Sequence, residues 1–132
     1  QASSSAASDV YKRQGLLIAA VVYMNEFPDH DSDKQTGKNT LIVVFGPEKA
    51  RFGYVALVAS AFISIVVMAL NGIFPKLTLI TLISAYFGIT ATTTLYKHYN
   101  SRLLQPANWG TIYLHSAAGF LFCIGIWLGT PV

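Results

Sequence analysis

The sequence predicts an all-α protein, a multi-span transmembrane helix bundle, on three observations. Charge is scarce: 11% of residues are charged against 53% hydrophobic, about half the charged share of an ordinary soluble domain. The charges are also gathered at a few places, so that the chain is uncharged between residues 51 and 76, between 76 and 97, and from 103 onward. Each uncharged block is long enough to cross a hydrocarbon core, which takes about 20 helical residues. None carries the polar stripe at every third or fourth position that a water-facing helix needs. A mean hydropathy of +0.48 agrees.

The elements follow in order. Residues 1–14 are polar and rich in small side chains, and DVYKRQ, residues 9–14, reads as the translation of a transposon-end sequencing adapter. That reading places residues 1–14 outside the fold as a library artefact; a natural disordered tail is the alternative. The apolar residues 15–24 are too few to span alone, so a truncated helix is expected over about 15–27, the second half of a cut span. A loop should cover residues 28–46. Gly46 and Pro47 then stop one element and start the next, with Pro47 in the first turn and Glu48 favourable to the helix dipole. That helix should reach residue 72, where Asn71, Gly72 and Pro75 make a tight turn. Two more spans are expected over about 76–99 and 107–129. Tyr96, Tyr99, Trp109, Tyr113 and Trp127 fall near span ends, where amphipathic rings settle at the lipid headgroups. Residues 15–132 are thus one truncated helix and three full spans.

The net charge of +3 comes without a basic stripe or basic-aromatic interleaving, which excludes nucleic acid as a partner and leaves the lipid bilayer. Three alternating spans put the loop before residue 51 and the loop after residue 97 on one side. That side holds Lys34, Lys38, Lys49, Arg51, Lys97 and Arg102, and the other holds Lys76. The positive-inside rule places the acidic loop in the cytoplasm. The single Cys123 has no internal disulfide partner and reads as a small buried apolar residue.

One stretch resists the oily background: NEFPDHDSDKQTGKNTLIVVFG, residues 25–46. Asn25, Asp29 and Asp33 are spaced by four, so on a helix they share a narrow face, from which Asp31 points away. Pro28 removes one backbone donor, which permits either a kinked helix or a helix ending in a loop. Two carboxylates about 5 Å apart repel by about 3 kcal/mol at an effective dielectric near 20. A divalent cation converts that repulsion into binding. Magnesium takes one or two carboxylates and completes its shell with waters and phosphate oxygens. Lys34 and Lys38 lie close enough in sequence to meet the remaining phosphate charge. Beside a membrane, acids for metal and lysines for phosphate point to a lipid diphosphate. A calcium loop fails on the sequence: its sixth position should be Gly and is Lys34, and its twelfth should be Glu and is Thr40. A solvated acidic turn with one helix-capping aspartate is the bland alternative.

The same stretch resembles the second aspartate-rich motif of the UbiA superfamily of intramembrane prenyltransferases. The pattern D-x-D-x-D-x-x-x-G-K-x-T-L-x-V-x-x-G is most similar to the branch that prenylates 1,4-dihydroxy-2-naphthoate in menaquinone synthesis. The resemblance implies a nine-helix fold of which this chain is the C-terminal part, with the N-terminal half missing, in a bacterial or archaeal cell membrane. It implies Mg2+ as cofactor and isoprenyl diphosphate and an aromatic acceptor as substrates. It assigns Asp29 and Asp33 to catalysis as metal ligands, with Asn25 completing the spacing, and Lys38 to the diphosphate; by position Lys34 and Asn25 are further diphosphate candidates and Asp31 a less certain metal ligand. Magnesium and lysine would stabilise the departing negative charge. The first aspartate-rich motif is absent, so the 132 residues are expected to be inactive alone. Asn39 and Val44 stand where basic residues of the naphthoate branch belong, which leaves the acceptor open to another branch. A transporter-like bundle with a solvated acidic loop is the reading from a different class.

Other polar residues have ordinary explanations. His115 and Tyr113 lie in the last span and should hydrogen-bond a neighbouring helix rather than react. Thr90, Thr93 and Thr94 can bond their own helix backbone. Lys97, His98 and Arg102 form a basic loop suited to solvent and headgroups. Glu26 is a weak candidate for the metal shell. Gly88 and Gly119 should allow close helix packing.

Overall fold

The computed structural model describes the backbone of residues 2–129 and the side chains of 15–101 and 103–129. Helices α1 (Ala2–Gln35), α2 (Leu41–Phe45), α3 (Pro47–Leu70), α4 (Ala85–His98) and α5 (Gln105–Gly129) are joined by two 3₁₀ segments, Lys76–Ser84 and Arg102–Leu104. No strand occurs among the described residues. Three helical stretches are long and apolar enough to cross a membrane: Pro47–Leu70, Lys76–His98 and Gln105–Gly129.

The core follows helical periodicity. α1 buries Leu17, Ala20, Met24 and Phe27, whose alternating spacings of three and four keep one face inward. α3 answers with Ala50, Tyr54, Val58 and Ala61, and α5 with Ala107, Thr111, Leu114 and Ala118. Small residues recur on all three faces, which is how helices approach closely when lipid supplies no hydrophobic drive between them. Tyr54 is buried and its hydroxyl lies 2.9 Å from Thr111 Oγ1, a polar tie between α3 and α5. Arg51 joins α3 to α4 by stacking its guanidinium 4.5 Å from the centre of the Tyr96 ring and 5.2 Å from that of Tyr99.

Two elements depart from the sequence expectation. The first helix does not stop near residue 27: α1 runs through Pro28 to Gln35, leaving residues 36–40 and Gly46 as connection. A proline removes one intrahelical bond, and the turns beyond it are closed by their own carbonyls, as in Thr36 N–H to Ser32 O at 3.0 Å. The adapter-like residues 9–14 continue the same helical backbone. The second departure is the expected helix over 76–99, which splits into a 3₁₀ segment and α4. Its buried residues Thr78, Thr81 and Ser84 recur every three positions, the repeat at which 3₁₀ side chains eclipse. Gly125 of α5 faces them so closely that a Cβ there would lie 2.6 Å from Thr78 Cα. A nine-residue 3₁₀ run is long for that geometry, and this contact with α5 supports it.

The remaining expectations divide. Pro47 and Glu48 occupy the first turn of α3, and Gly72 takes a left-handed φ of 71° in the turn after it. Gly88 is packed as expected, its missing Cβ 3.3 Å from both Leu114 and Val58 side chains. The threonine hydroxyls bond their own backbone: Thr90 to Phe87 O, and Thr93 and Thr94 to Thr90 O. Cys123 is corrected: it lies exposed on the outer face of α5, because the inward positions of that turn are Phe122 and Gly125. His115 is corrected as well, since its Nδ1 is buried without a hydrogen-bond partner. Tyr113 is exposed and packs its ring against Phe87 and Trp109.

Candidate functional site

The acidic stretch forms the last three turns of α1 and the reversal that follows. At 100° per residue, Asn25, Asp29 and Asp33 fall within about 80° of one another, with Glu26 beside them. Asp33 is buried, with 6% of its surface exposed. Asp31 sits about 160° round the helix from Asp33; its side chain is 90% exposed and pairs with the ring of His30 at 3.0 Å.

The end of α1 explains why glycine and lysine follow the acids. Gly37 adopts a φ of +72°, the left-handed conformation that lets a helix end by folding back on its own carbonyls. Lys38 N–H donates to Asp33 O at 2.9 Å, and Gly37 N–H reaches Lys34 O at 3.4 Å, the paired bonds of a Schellman cap. The chain reverses, and the Lys38 side chain returns over the acidic face. Its Nζ donates to Asp33 Oδ1 at 2.8 Å. The hydrogen bond to Asp33, then that carboxylate's charge, raise the Lys38 pKa above its ordinary value, and Asp29 adds to the shift. Thr40 then caps α2, its Oγ1 accepting from Val43 N–H at 3.3 Å. Three letters of the G-K-x-T pattern therefore have local structural work, and Lys38 alone faces the acids.

Glu26 lies two positions beyond the apolar residues 15–24. Its Oε2 is buried without a partner, and burial first, then the charge of Asp33, raises its carboxyl pKa. Asn25 accepts at Oδ1 from Asn108 Nδ2 at 3.0 Å, a bond from α1 to the first turn of α5. Between these two helices lies a groove of 390 Å³ lined by Asn25, Pro28, Asp29, Leu104, Gln105 and Asn108.

The structure thus sets Asn25, Asp29 and Asp33 along one face of α1 and brings Lys38 to Asp33. Lys34 is exposed in the last turn of α1, about 140° round the helix from Asp29, and does not join them. Sequence reasoning missed Asn108, for which no spacing signal exists because its partner is 83 positions away. It undervalued Glu26, whose seven-residue offset from Asp33 marks two helical turns on one face.

Among the described residues, no three His, Cys, Asp or Glu side chains are grouped closely enough to hold a metal ion between them. The donors that are present are carboxylate oxygens, suited to a hard cation. Two carboxylates on successive turns match the one or two that magnesium takes from a protein when phosphate and water supply the rest.

These features define a class: an intramembrane helical bundle that carries, at the end of one helix, an acidic face closed over by a lysine. A family-level comparison matches residues 13–116 to the UbiA prenyltransferase family. The chain belongs to that family, and with it to the membrane-embedded prenyltransferases. Searches of curated proteins and of solved structures return no match.

Proposed function

We propose that this chain supplies one acidic half of a magnesium-dependent prenyltransferase that moves a polyprenyl group from an isoprenyl diphosphate to an aromatic acceptor in quinone biosynthesis. The menaquinone-type acceptor is favoured by the resemblance of residues 25–46. The observation that carries the reading is the grouping of Asp29, Asp33 and Lys38 on one face by the Gly37 reversal.

Asp29 and Asp33 would hold the metal. When bound, magnesium offsets the negative charge that collects on the pyrophosphate leaving group. Lys38 supplies a cation aimed at the same place. It already sits 2.8 Å from Asp33 and, like any exposed lysine, is cationic at neutral pH, ready to donate to a leaving-group oxygen. Asn25, at the opening of the groove, adds an uncharged polar contact. In the reaction the carbon–oxygen bond of the donor breaks and its electron pair departs with pyrophosphate. The allylic carbocation left behind takes an electron pair from the aromatic ring, which then releases a proton. Exclusion of water protects that cation from hydrolysis, and the apolar surroundings of α1, α3 and α5 suit the task.

The fragment reading rests on the resemblance. The resemblance of residues 25–46 to the second of two aspartate-rich motifs implies that the full-length gene product contributes a first such motif from outside these 132 residues. The basic residues on the acidic side favour a cytoplasmic site.

The test is prenyl transfer by the full-length gene product in membranes. Asp29→Ala and Asp33→Ala should abolish turnover, whereas Asp31→Ala, at an outward-facing side chain, should retain it within about twofold, less than the effect of one net hydrogen bond. Equal, mild losses at all three positions would overturn the assignment.

A further inference from the structure

We propose that Asn108, in the first turn of α5, is a positioning residue that fixes the side-chain amide of Asn25, so that Asn25 faces the groove as an N–H donor to the diphosphate and not as an oxygen ligand of the metal. The proposal rests on the diphosphate reading above and deepens it.

The argument begins with the bond itself. Asn108 Nδ2 donates to Asn25 Oδ1 at 3.0 Å. The bond takes one of the two lone pairs of the Asn25 oxygen and fixes the amide plane, so that the NH2 is the end of Asn25 left to meet a ligand. The orientation of the pair follows from burial. Asn108 Oδ1 is buried without a partner. Turning both amides over would place the Asn108 NH2 in that buried position and strand its hydrogens, and orphaned buried N–H groups are rarer than under-satisfied carbonyl oxygens.

The surroundings agree. Asn25 and Asn108 both line the groove that also contains Asp29, so the donor lies beside one of the two proposed metal ligands. A diphosphate presents acceptor oxygens only, and an N–H donor matches them where a further carbonyl oxygen would oppose them. The carboxylates already present are the hard oxygen donors that magnesium takes. An asparagine held as a donor supplies the missing complement.

The experiment compares the full-length gene product with its Asn108→Asp, Asn108→Ala, Asn25→Ala and Asn25→Ala/Asn108→Asp variants. Two quantities are read: the Kd for an isoprenyl thiolodiphosphate, which binds without turning over, and the half-saturating magnesium concentration. A carboxylate at position 108 cannot donate. It accepts from Asn25 Nδ2 and draws the donor away from the groove. Asn108→Asp should weaken analogue binding about tenfold, or about 1.4 kcal/mol, with the magnesium half-saturation held within about twofold. Asn108→Ala, which adds no charge, should weaken it by a smaller factor. In the Asn25→Ala background Asn108→Asp should have no further effect, because the two residues act through one bond.

An unchanged Kd in both single variants would overturn the proposal. So would a rise in magnesium half-saturation with analogue affinity intact, the signature of an Asn25 oxygen on the metal. Additive losses in the double variant would show that Asn108 acts elsewhere. Asp33→Asn keeps the two readings apart. If that variant retains magnesium-dependent analogue binding, the diphosphate reading itself falls, whatever the Asn108 variants do.

Discussion

Replacing Gly37 by alanine isolates the device that aims Lys38. A Cβ at residue 37 meets nothing within 4 Å, so the substitution creates no clash and removes no side-chain contact. Its cost is the backbone conformation. A left-handed φ of +72° costs an L-residue about 1–2 kcal/mol. If the reversal opens instead of the whole bundle, that energy appears as a local equilibrium, shifted toward the open form by a factor of about 5–30. The bonds at risk are those from Lys38 N–H to Asp33 O and from Gly37 N–H to Lys34 O. Amide hydrogen exchange of the chain in detergent micelles reads them directly. Exchange at Lys38 should accelerate by about the same factor, while amides in the middle of α3 and α5 should be unaffected. Gly37→Asn should be milder, because asparagine tolerates the left-handed region. In the full-length gene product Gly37→Ala should raise the donor KM, since the Lys38 side chain is then delivered to the acidic face less often. Refutation takes either of two forms: Lys38 exchange no faster than in wild type, or Gly37→Asn as damaging as Gly37→Ala.

Further expectations concern the bundle. Gly125→Leu should lower thermal stability by about 1–3 kcal/mol or more through overpacking, since even a Cβ at residue 125 would sit 2.6 Å from Thr78 Cα; a melting temperature equal to wild type would remove the close-approach account of the 3₁₀ segment. Tyr54→Phe deletes the buried tie to Thr111 and should cost about 1 kcal/mol, read by unfolding in mixed micelles. Pairing it with Thr111→Val should cost less than the sum of the two single changes.

Much of this architecture is legible in the sequence. Uncharged blocks located the three spans because hydrocarbon admits few charges, and the four-residue spacing of Asn25, Asp29 and Asp33 placed them on one helical face. What stayed hidden depended on partners distant in sequence. The 3₁₀ repeat of Thr78, Thr81 and Ser84 could be read as ordinary hydroxyl content until Gly125 was seen pressed against it. Cys123 looked like a core residue by composition, yet its place on α5 is decided by the inward turn of Phe122 and Gly125. The extension of α1 past Pro28 is one of the two geometries that the proline left open, and the residues beyond it close their own turns. Asn108 could not be paired with Asn25 from sequence, because only the packing of α5 on α1 brings them together. Gly37 and Lys38 are visible as letters of a motif; that the chain reversal at the first returns the second over Asp33 is seen only in the geometry.

The most direct measurement is equilibrium binding of a non-reacting isoprenyl thiolodiphosphate to vesicles carrying the full-length gene product, with magnesium and then with excess chelator. Wild type should lose its binding when the cation is withdrawn, and the Asp29→Asn/Asp33→Asn protein should bind weakly in both conditions. Undiminished binding by that double variant in chelator would contradict the claim that these two acids meet the donor through a divalent ion.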